Sequence, residues 1–261
     1  MEQLKKEIEE LKLQIAALQA SNPLWGKKYV ACGDSFTEGD FTGWTDENGL
    51  SKEDSPVIYD KEWGMYKTYP WQIGKRNNMI VINEGKCGST LPLCKEYLAG
   101  EEGTTIESRK PFAYKRYMNI PEDTDYCTIW FGINDSLHTN LGTIDDTTNA
   151  TFYGAWNVVL EWMIVNRPYM KIGIIITDGR ADPKWREATR ECARKWGIPY
   201  LDMVGDDKVP VILRREPELG LCERADDLRC RSFWVTEQNH HPNIKAHEYQ
   251  SYFIENFLRS L

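Results

Sequence analysis

Tyr29-Val30-Ala31-Cys32-Gly33-Asp34-Ser35-Phe36-Thr37-Glu38-Gly39 passes from four apolar residues into a loop of small and polar ones. The first four read as a buried strand, and the loop sets a serine between that strand and a helix start. The same kind of apolar run recurs at Met79–Asn83, Cys127–Phe131, Lys171–Thr177 and Pro199–Met203. Between them lie helical patterns at Tyr69–Arg76, Thr151–Asn166 and Lys184–Trp196, with a last one at Ile244–Leu258. Strands that are nearly all apolar, separated by helices, predict an α/β chain whose mostly parallel five-stranded sheet is covered on both faces. Such sheets bind ligands beyond the carboxyl ends of their strands. The segments to inspect are therefore Gly33–Gly39, Glu84–Thr90, Gly132–Ser136 and Asp178–Pro183.

The chain has 261 residues, 41% of them hydrophobic, enough for one sizeable α/β domain and an appendage. With 32 basic and 40 acidic residues its net charge is −8, which argues against nucleic acid and against an anionic membrane surface as partners. No apolar run reaches the roughly 18 residues of a membrane span, and charged residues interrupt positions 1–20, unlike a signal peptide. The expectation is synthesis and folding in a cytoplasm. Cys32, Cys87 and Cys127 fall in or beside apolar strands, where a free thiol acts as a small hydrophobe. Cys222 and Cys230 lack zinc-ribbon spacing, so reduced structural thiols are expected, with a disulfide between those two as the alternative.

Residues 1–20 read separately, as a short N-terminal coiled-coil helix. Met1, Ile8 and Ile15 fall at a positions and Leu4, Leu11 and Leu18 at d, while Glu7 at g and Lys12 at e are placed to pair across a parallel seam. Ser21, Asn22 and Pro23 then end the helix. The expected organisation is an oligomerisation helix over 1–22 and one domain over 23–261, giving a homodimer or, second, a homotrimer. An amphipathic helix lying on its own domain is the alternative. Three long connections, Asp40–Lys67, Leu91–Glu122 and Val204–Thr236, interrupt the core; the first carries Phe41, Trp44, Tyr59, Trp63 and Tyr66. Such a loop is either functional or a small core of its own.

A serine at a strand end needs a base to act as a nucleophile, and without one it serves to cap a helix. Three further blocks decide how the loop is read. Asn83-Glu84-Gly85-Lys86-Cys87-Gly88-Ser89-Thr90 follows the second strand, Gly132-Ile133-Asn134-Asp135 follows the third, and His241-Pro242-Asn243 stands near the C-terminus. With Gly33-Asp34-Ser35 they resemble, in order, the blocks of the SGNH/GDSL hydrolases. The resemblance spans Gly33 to Asn243. It implies a flavodoxin-like three-layer α/β/α sandwich and serine esterase, lipase or carbohydrate-esterase activity, with no cofactor. The α/β-hydrolase elbow G-x-S-x-G fits less well, because Thr37 occupies its last glycine position.

Acyl transfer builds charge on a carbonyl oxygen, so fixed donors must face it. The Ser35 and Gly88 N–H groups and the Asn134 amide are the candidates, with Ser35 as nucleophile and His241 as base. His241 is preferred over His240 because it directly precedes Pro242. Two adjacent histidines raise metal binding, but no acid or cysteine stands at ligand spacing, so no metal is expected. The family's acid sits three residues before the base; here that residue is Gln238, with Glu237 one step off and Asn239 on the other side. The resemblance therefore leaves the imidazole oriented by a neutral carbonyl, or by Glu237 if the loop shifts by one residue. Asp34, Trp44 and Trp63 are candidate substrate contacts. The expected substrate is a small-molecule or polysaccharide ester, an O-acyl or O-acetyl group on a carbohydrate, with lipid or small esters as the alternative. A catalytically weak carbohydrate-binding module of a cell-surface or phage-tail assembly is the competing class.

Overall fold

The computed structural model describes residues 1–177, 181–205, 228 and 231–261. In chain order its elements are α1 (Glu2–Ser21), β1 (Lys28–Gly33), α2 (Ser35–Glu38), a small hairpin of β2 (Tyr59–Asp60) and β3 (Met65–Tyr66), α3 (Tyr69–Asn77), β4 (Ile80–Gly85) and α4 (Lys95–Leu98). They continue through β5 (Tyr126–Trp130), α5 (Ile133–His138), α6 (Phe152–Asn166), β6 (Lys171–Ile176), α7 (Pro183–Trp196) and β7 (Tyr200–Asp202) to α8 (Ile244–Ser260). The five strands of the main sheet stand where their apolar runs predict them, with ends displaced by a residue or two.

These five strands lie in the order β4-β1-β5-β6-β7, and every pairing is parallel. The chain moves from β1 outward to β4 and then returns across β1 to start β5. The reversal makes the β1–β5 boundary a switch point, where connections leave in opposite directions and open a crevice beyond the carboxyl ends. Gly33 ends β1 there and pairs with Trp130 at the end of β5.

The apolar runs read as they do because the central strands are covered on both sides. Tyr29 to Cys32, Ile129, and Ile174 to Ile176 are all fully buried, each large side chain contributing about 1.5–3 kcal/mol. Helix α3 packs on α8, and α6 on α7. Local caps fix the helix starts. Asp182 accepts the Lys184 N–H at 2.8 Å before Pro183 opens α7, and Thr151 caps α6. Buried polar groups on the strands find each other: the Tyr29 hydroxyl meets Thr128 Oγ1 at 2.7 Å across β1 and β5. Cys32, Cys87, Cys94, Cys127 and Cys192 are free thiols, and Cys222 and Cys230 lie outside the described residues.

The aromatic loop after Gly39 forms a second small core. Phe41, Ile58 and Val235 are buried together, with Trp44, Tyr66 and Ile244 packed against them. Of the two readings of that loop, the structure therefore takes the mini-core for these residues. Helix α1 is the opposite case: every residue from 1 to 17 is exposed.

Candidate active site

Ser35 is the first residue of the four-residue helix α2, directly beyond β1. Asp34 caps it, its Oδ1 accepting the Phe36 N–H at 2.9 Å. The turn is pinned from outside as well. Thr37 offers its carbonyl to Asn83 Nδ2 at 2.8 Å and to the Thr68 hydroxyl at 3.0 Å. It sits so tightly over the strand end that a Cβ on Gly33 would lie 2.1 Å from Thr37 Oγ1 and 2.8 Å from the Trp130 carbonyl, so only glycine fits. Ser35 itself is buried.

His241 reaches this serine from the far end of the chain. Its Nε2 lies 2.8 Å from Ser35 Oγ, and its ring packs edge-on against Phe36 with centroids 5.6 Å apart. The loop that carries it folds back on itself. Trp234 and Pro242 form an antiparallel bridge, Val235 N–H donates to the His241 carbonyl at 2.9 Å, and Asn243 N–H to Phe233 at 2.8 Å. The Asn243 side chain then caps α8 through Ala246 N–H, so the Asn of the His-Pro-Asn block locks the loop to the helix. His240 turns the other way, stacked on Trp234 with ring centroids 3.8 Å apart.

The third member is where the structure corrects the sequence reading. His241 Nδ1 lies 2.5 Å from Asn239 Oδ1. Gln238 and Glu237 are both exposed; the Gln238 N–H donates to Thr236 Oγ1, and among the described residues Glu237 offers its carbonyl, to His240. The physical reason is the tight turn in which Thr236 N–H donates to the Asn239 carbonyl, which leaves the residue two before the base facing the ring instead of the one three before. Asn239 directs its amide N–H groups at the Asp40 carbonyl, Asp40 Oδ1 and the Thr42 carbonyl, at 3.3, 3.2 and 3.0 Å. Asp40 Oδ2 lies 3.9 Å from His241 Nδ1. Burial opposes the Asp40 charge, but the Thr42 N–H and hydroxyl, the His241 imidazole and the Asn239 amide outweigh it and hold the carboxyl below its usual range. Asp40 is the residue the sequence reading missed. Its one signal was an asparagine beside the base, since an Asn carbonyl aimed at a histidine needs acceptors for its own N–H groups.

The Gly88 loop faces the serine loop from β4. Arg116 holds it, donating to Ser89 Oγ at 2.7 Å and to the Glu84 carbonyl at the end of the strand. Asn134 Nδ2 reaches the Ser89 carbonyl at 3.1 Å and Asp34 Oδ2 at 3.4 Å, which ties all three carboxyl-end loops together. Gly88 takes φ +75°, with open space where a Cβ would stand. Among the described residues, no acceptor takes the N–H of Ser35 or of Gly88. Asp135 lies beneath, fully buried, its Oδ1 accepting the Leu91 N–H at 2.7 Å; burial pushes its carboxyl up to about 8.

Of the candidate substrate contacts, Asp34 is an N-cap tied to Asn134, and Trp44 joins the small core. Trp63 packs against Gly74 and Trp71 of α3, with Lys75 Nζ 4.3 Å above its ring. Gly74 also abuts Val81 near the start of β4, away from the carboxyl ends, so Trp63 is removed from the site. Among the described residues no cluster of three metal-ligating side chains occurs.

No protein-family profile and no curated protein sequence matches the chain. Solved structures do. A protein from Bacteroides uniformis assigned as a GDSL-like lipase superposes with a TM-score of 0.59 at 17% identity, over 90% of this chain and 97% of its own. One from Bacteroides ovatus, assigned likewise, gives 0.59 at 18%, over 90% and 99%. One from Agrobacterium tumefaciens assigned as an arylesterase gives 0.51 at 17%, over 90% and 99%. The chain has the SGNH/GDSL hydrolase fold, a parallel five-stranded sheet with helices around it.

Proposed function

We propose that this protein is a serine ester hydrolase that works through an acyl-enzyme on Ser35. One observation carries the reading: Ser35 Oγ is 2.8 Å from His241 Nε2, beside two backbone N–H groups that no described residue engages. Ser35 Oγ attacks the acyl carbon while His241 Nε2 takes its proton. The oxyanion forms against the N–H groups of Ser35 and Gly88, with the Asn134 amide as third donor once it exchanges its 3.4 Å bond to Asp34 Oδ2 for the oxyanion. The imidazolium returns the proton to the leaving alcohol, giving the acyl-enzyme. A water then repeats the sequence, its proton passing to His241 and on to Ser35 as the carboxylic acid departs. Asn239 accepts the Nδ1–H throughout, fixing the tautomer that leaves Nε2 free to act as base.

The narrower part of the proposal is an O-acyl group, acetyl in the first instance, on a carbohydrate. Trp44 supports it from the rim of the small core: packed against that core it is still only half-buried, two residues past Thr42, whose carbonyl bonds Asn239, and the exposed part of a flat aromatic face suits a sugar ring. The test is turnover of acetylated sugars against p-nitrophenyl esters of rising chain length, by wild type and Ser35→Ala. Hydrolysis of short acyl esters, fastest on the sugar, and its loss in the variant are expected. Retention of more than a few per cent of turnover in Ser35→Ala overturns the nucleophile.

A further inference from the structure

We propose that Asp40 is the displaced acid of this site, a positioning residue that acts on His241 through Asn239. The inference rests on the reading of Ser35 and His241 as nucleophile and base. An asparagine can present either its oxygen or its nitrogen to a neighbour, and its hydrogen bonds decide which. At Asn239 one side of the amide faces three oxygens: the Asp40 carbonyl, Asp40 Oδ1 and the Thr42 carbonyl. Only N–H groups are tolerated there, so the carbonyl is directed at His241 Nδ1. Asp40 thus selects the acceptor orientation. Its carboxylate also polarises the amide it accepts from, and places a negative charge 3.9 Å from the ring nitrogen that turns cationic on proton uptake. The carboxylate absent at 238 is supplied from the end of the serine loop, one residue after Gly39.

The other ionisable groups around the base are Asp34 and Glu38 on the serine loop, Cys87 on the β4 loop, and His240 and His247. Burial pushes the Cys87 thiol up and, with the charge of His241, lowers His247 to about 3, so both are neutral near pH 7. The readout is the rate at which a fluorophosphonate labels Ser35 as a function of pH, which needs no knowledge of the natural ester. Asp40→Asn keeps the Oδ1 that accepts the Thr42 N–H at 2.9 Å, so the local turn survives. Its labelling is expected to slow by roughly 10-fold to 10²-fold, with the apparent pKa of the profile lowered by about one unit; Asp40→Glu should recover part of both. An Asp40→Asn profile with the wild-type pKa, whether or not its rate is scaled, overturns the proposal, as does an Asp40→Glu profile no better than that of Asp40→Asn. Failure of the wild-type Ser35 to label would overturn instead the reading on which it rests.

A separate observation carries a second inference: we infer that α1 pairs with α1 of a second copy of this chain in a parallel coiled coil. Leu4, Ile8, Leu11 and Ile15 are between 44% and 60% exposed along one heptad seam, and a lone helix of this length is marginal in water. Among the described residues it is the base of the helix that is tied down, Arg259 donating to Asn22 Oδ1 at 2.7 Å. Charge selects the direction. A parallel pair sets Glu7 at g against Lys12 at e of the partner helix, whereas an antiparallel pair brings Lys5 beside Lys12. Ile at a with Leu at d favours two strands. Sedimentation equilibrium of the full chain should give a dimer that Ile8→Glu reduces to half the mass. Glu7→Lys should weaken the dimer and Glu7→Lys with Lys12→Glu restore it. A monomer at all concentrations, a mass indifferent to Ile8→Glu, or no rescue by the double exchange overturns the inference.

Discussion

The serine loop and the base loop meet at the Ser35–His241 hydrogen bond and again where Asn239 bonds Asp40, yet they are held in different ways. The serine loop grows directly from β1 and is clamped by its own neighbours: a cap at Asp34, the Thr37 carbonyl fixed by two donors, and a glycine that admits no side chain. Most of its contacts come from the sheet ends it adjoins. The base loop stands on a short two-stranded bridge and on two asparagines, Asn243 toward α8 and Asn239 toward Asp40. Its decisive contact joins residues 199 apart. The sheet thus presets the proposed nucleophile and oxyanion donors, while the proposed base depends on a few polar bonds made late in the chain. Damage to the first loop should disturb fold and chemistry together; damage to the second should remove chemistry and leave the fold.

The comparison is broken most sharply at the base. His241→Ala should lower turnover by roughly 10⁴-fold or more, the scale on which triad members act, with a thermal midpoint close to wild type. His240→Ala, which loses a stack on Trp234, should stay within a few-fold. Steady-state kinetics and melting curves on both variants check this, and the reverse order of effects would move the base by one residue.

At the oxyanion side, Asn134→Ala should lower kcat by roughly 10²-fold with little change in KM. Because the same amide ties Ser89 to Asp34, its thermal midpoint should also fall, unlike that of His241→Ala. An effect confined to KM would make Asn134 a ground-state contact.

The smallest effect sharpens the description of the rigid side. Asp135 has a folded value of about 8 against about 3.9 for a free aspartate. The folded chain therefore keeps a proton that the unfolded chain loses, and this group's contribution to stability falls as pH rises from about 4 to about 8. Asp135→Asn retains an acceptor for the Leu91 N–H and removes the titration. The gap between its melting temperature and that of wild type should widen in favour of the variant across that window. Parallel curves would show that Asp135 does not titrate there.

The same division explains what was legible in the sequence. The five strands and the serine loop are local: apolar runs, a glycine and a capping aspartate adjacent in the chain determine them. The positions of Ser35, Gly88 and Asn134 followed from blocks attached to those strands, and that of His241 from a block ahead of the last helix. The orientation of the base did not. Counting back to Gln238 assumed a spacing that the turn at Thr236 alters, and no local pattern joins Asp40 to Asn239. The aromatic loop left two readings open for a related reason. A run of tryptophans and tyrosines reads alike whether it faces a ligand or packs on Ile58 and α3.

The central claim is that Ser35 is a nucleophile activated by His241 across 2.8 Å. Mass spectrometry of the full chain after exposure to a fluorophosphonate tests it directly. A single adduct, mapped to Ser35, absent in Ser35→Ala and formed at least 10²-fold more slowly in His241→Ala, is the result expected of a base-activated serine. An unlabelled wild-type protein, an adduct on another serine, or labelling of Ser35 at an unchanged rate in His241→Ala would contradict it.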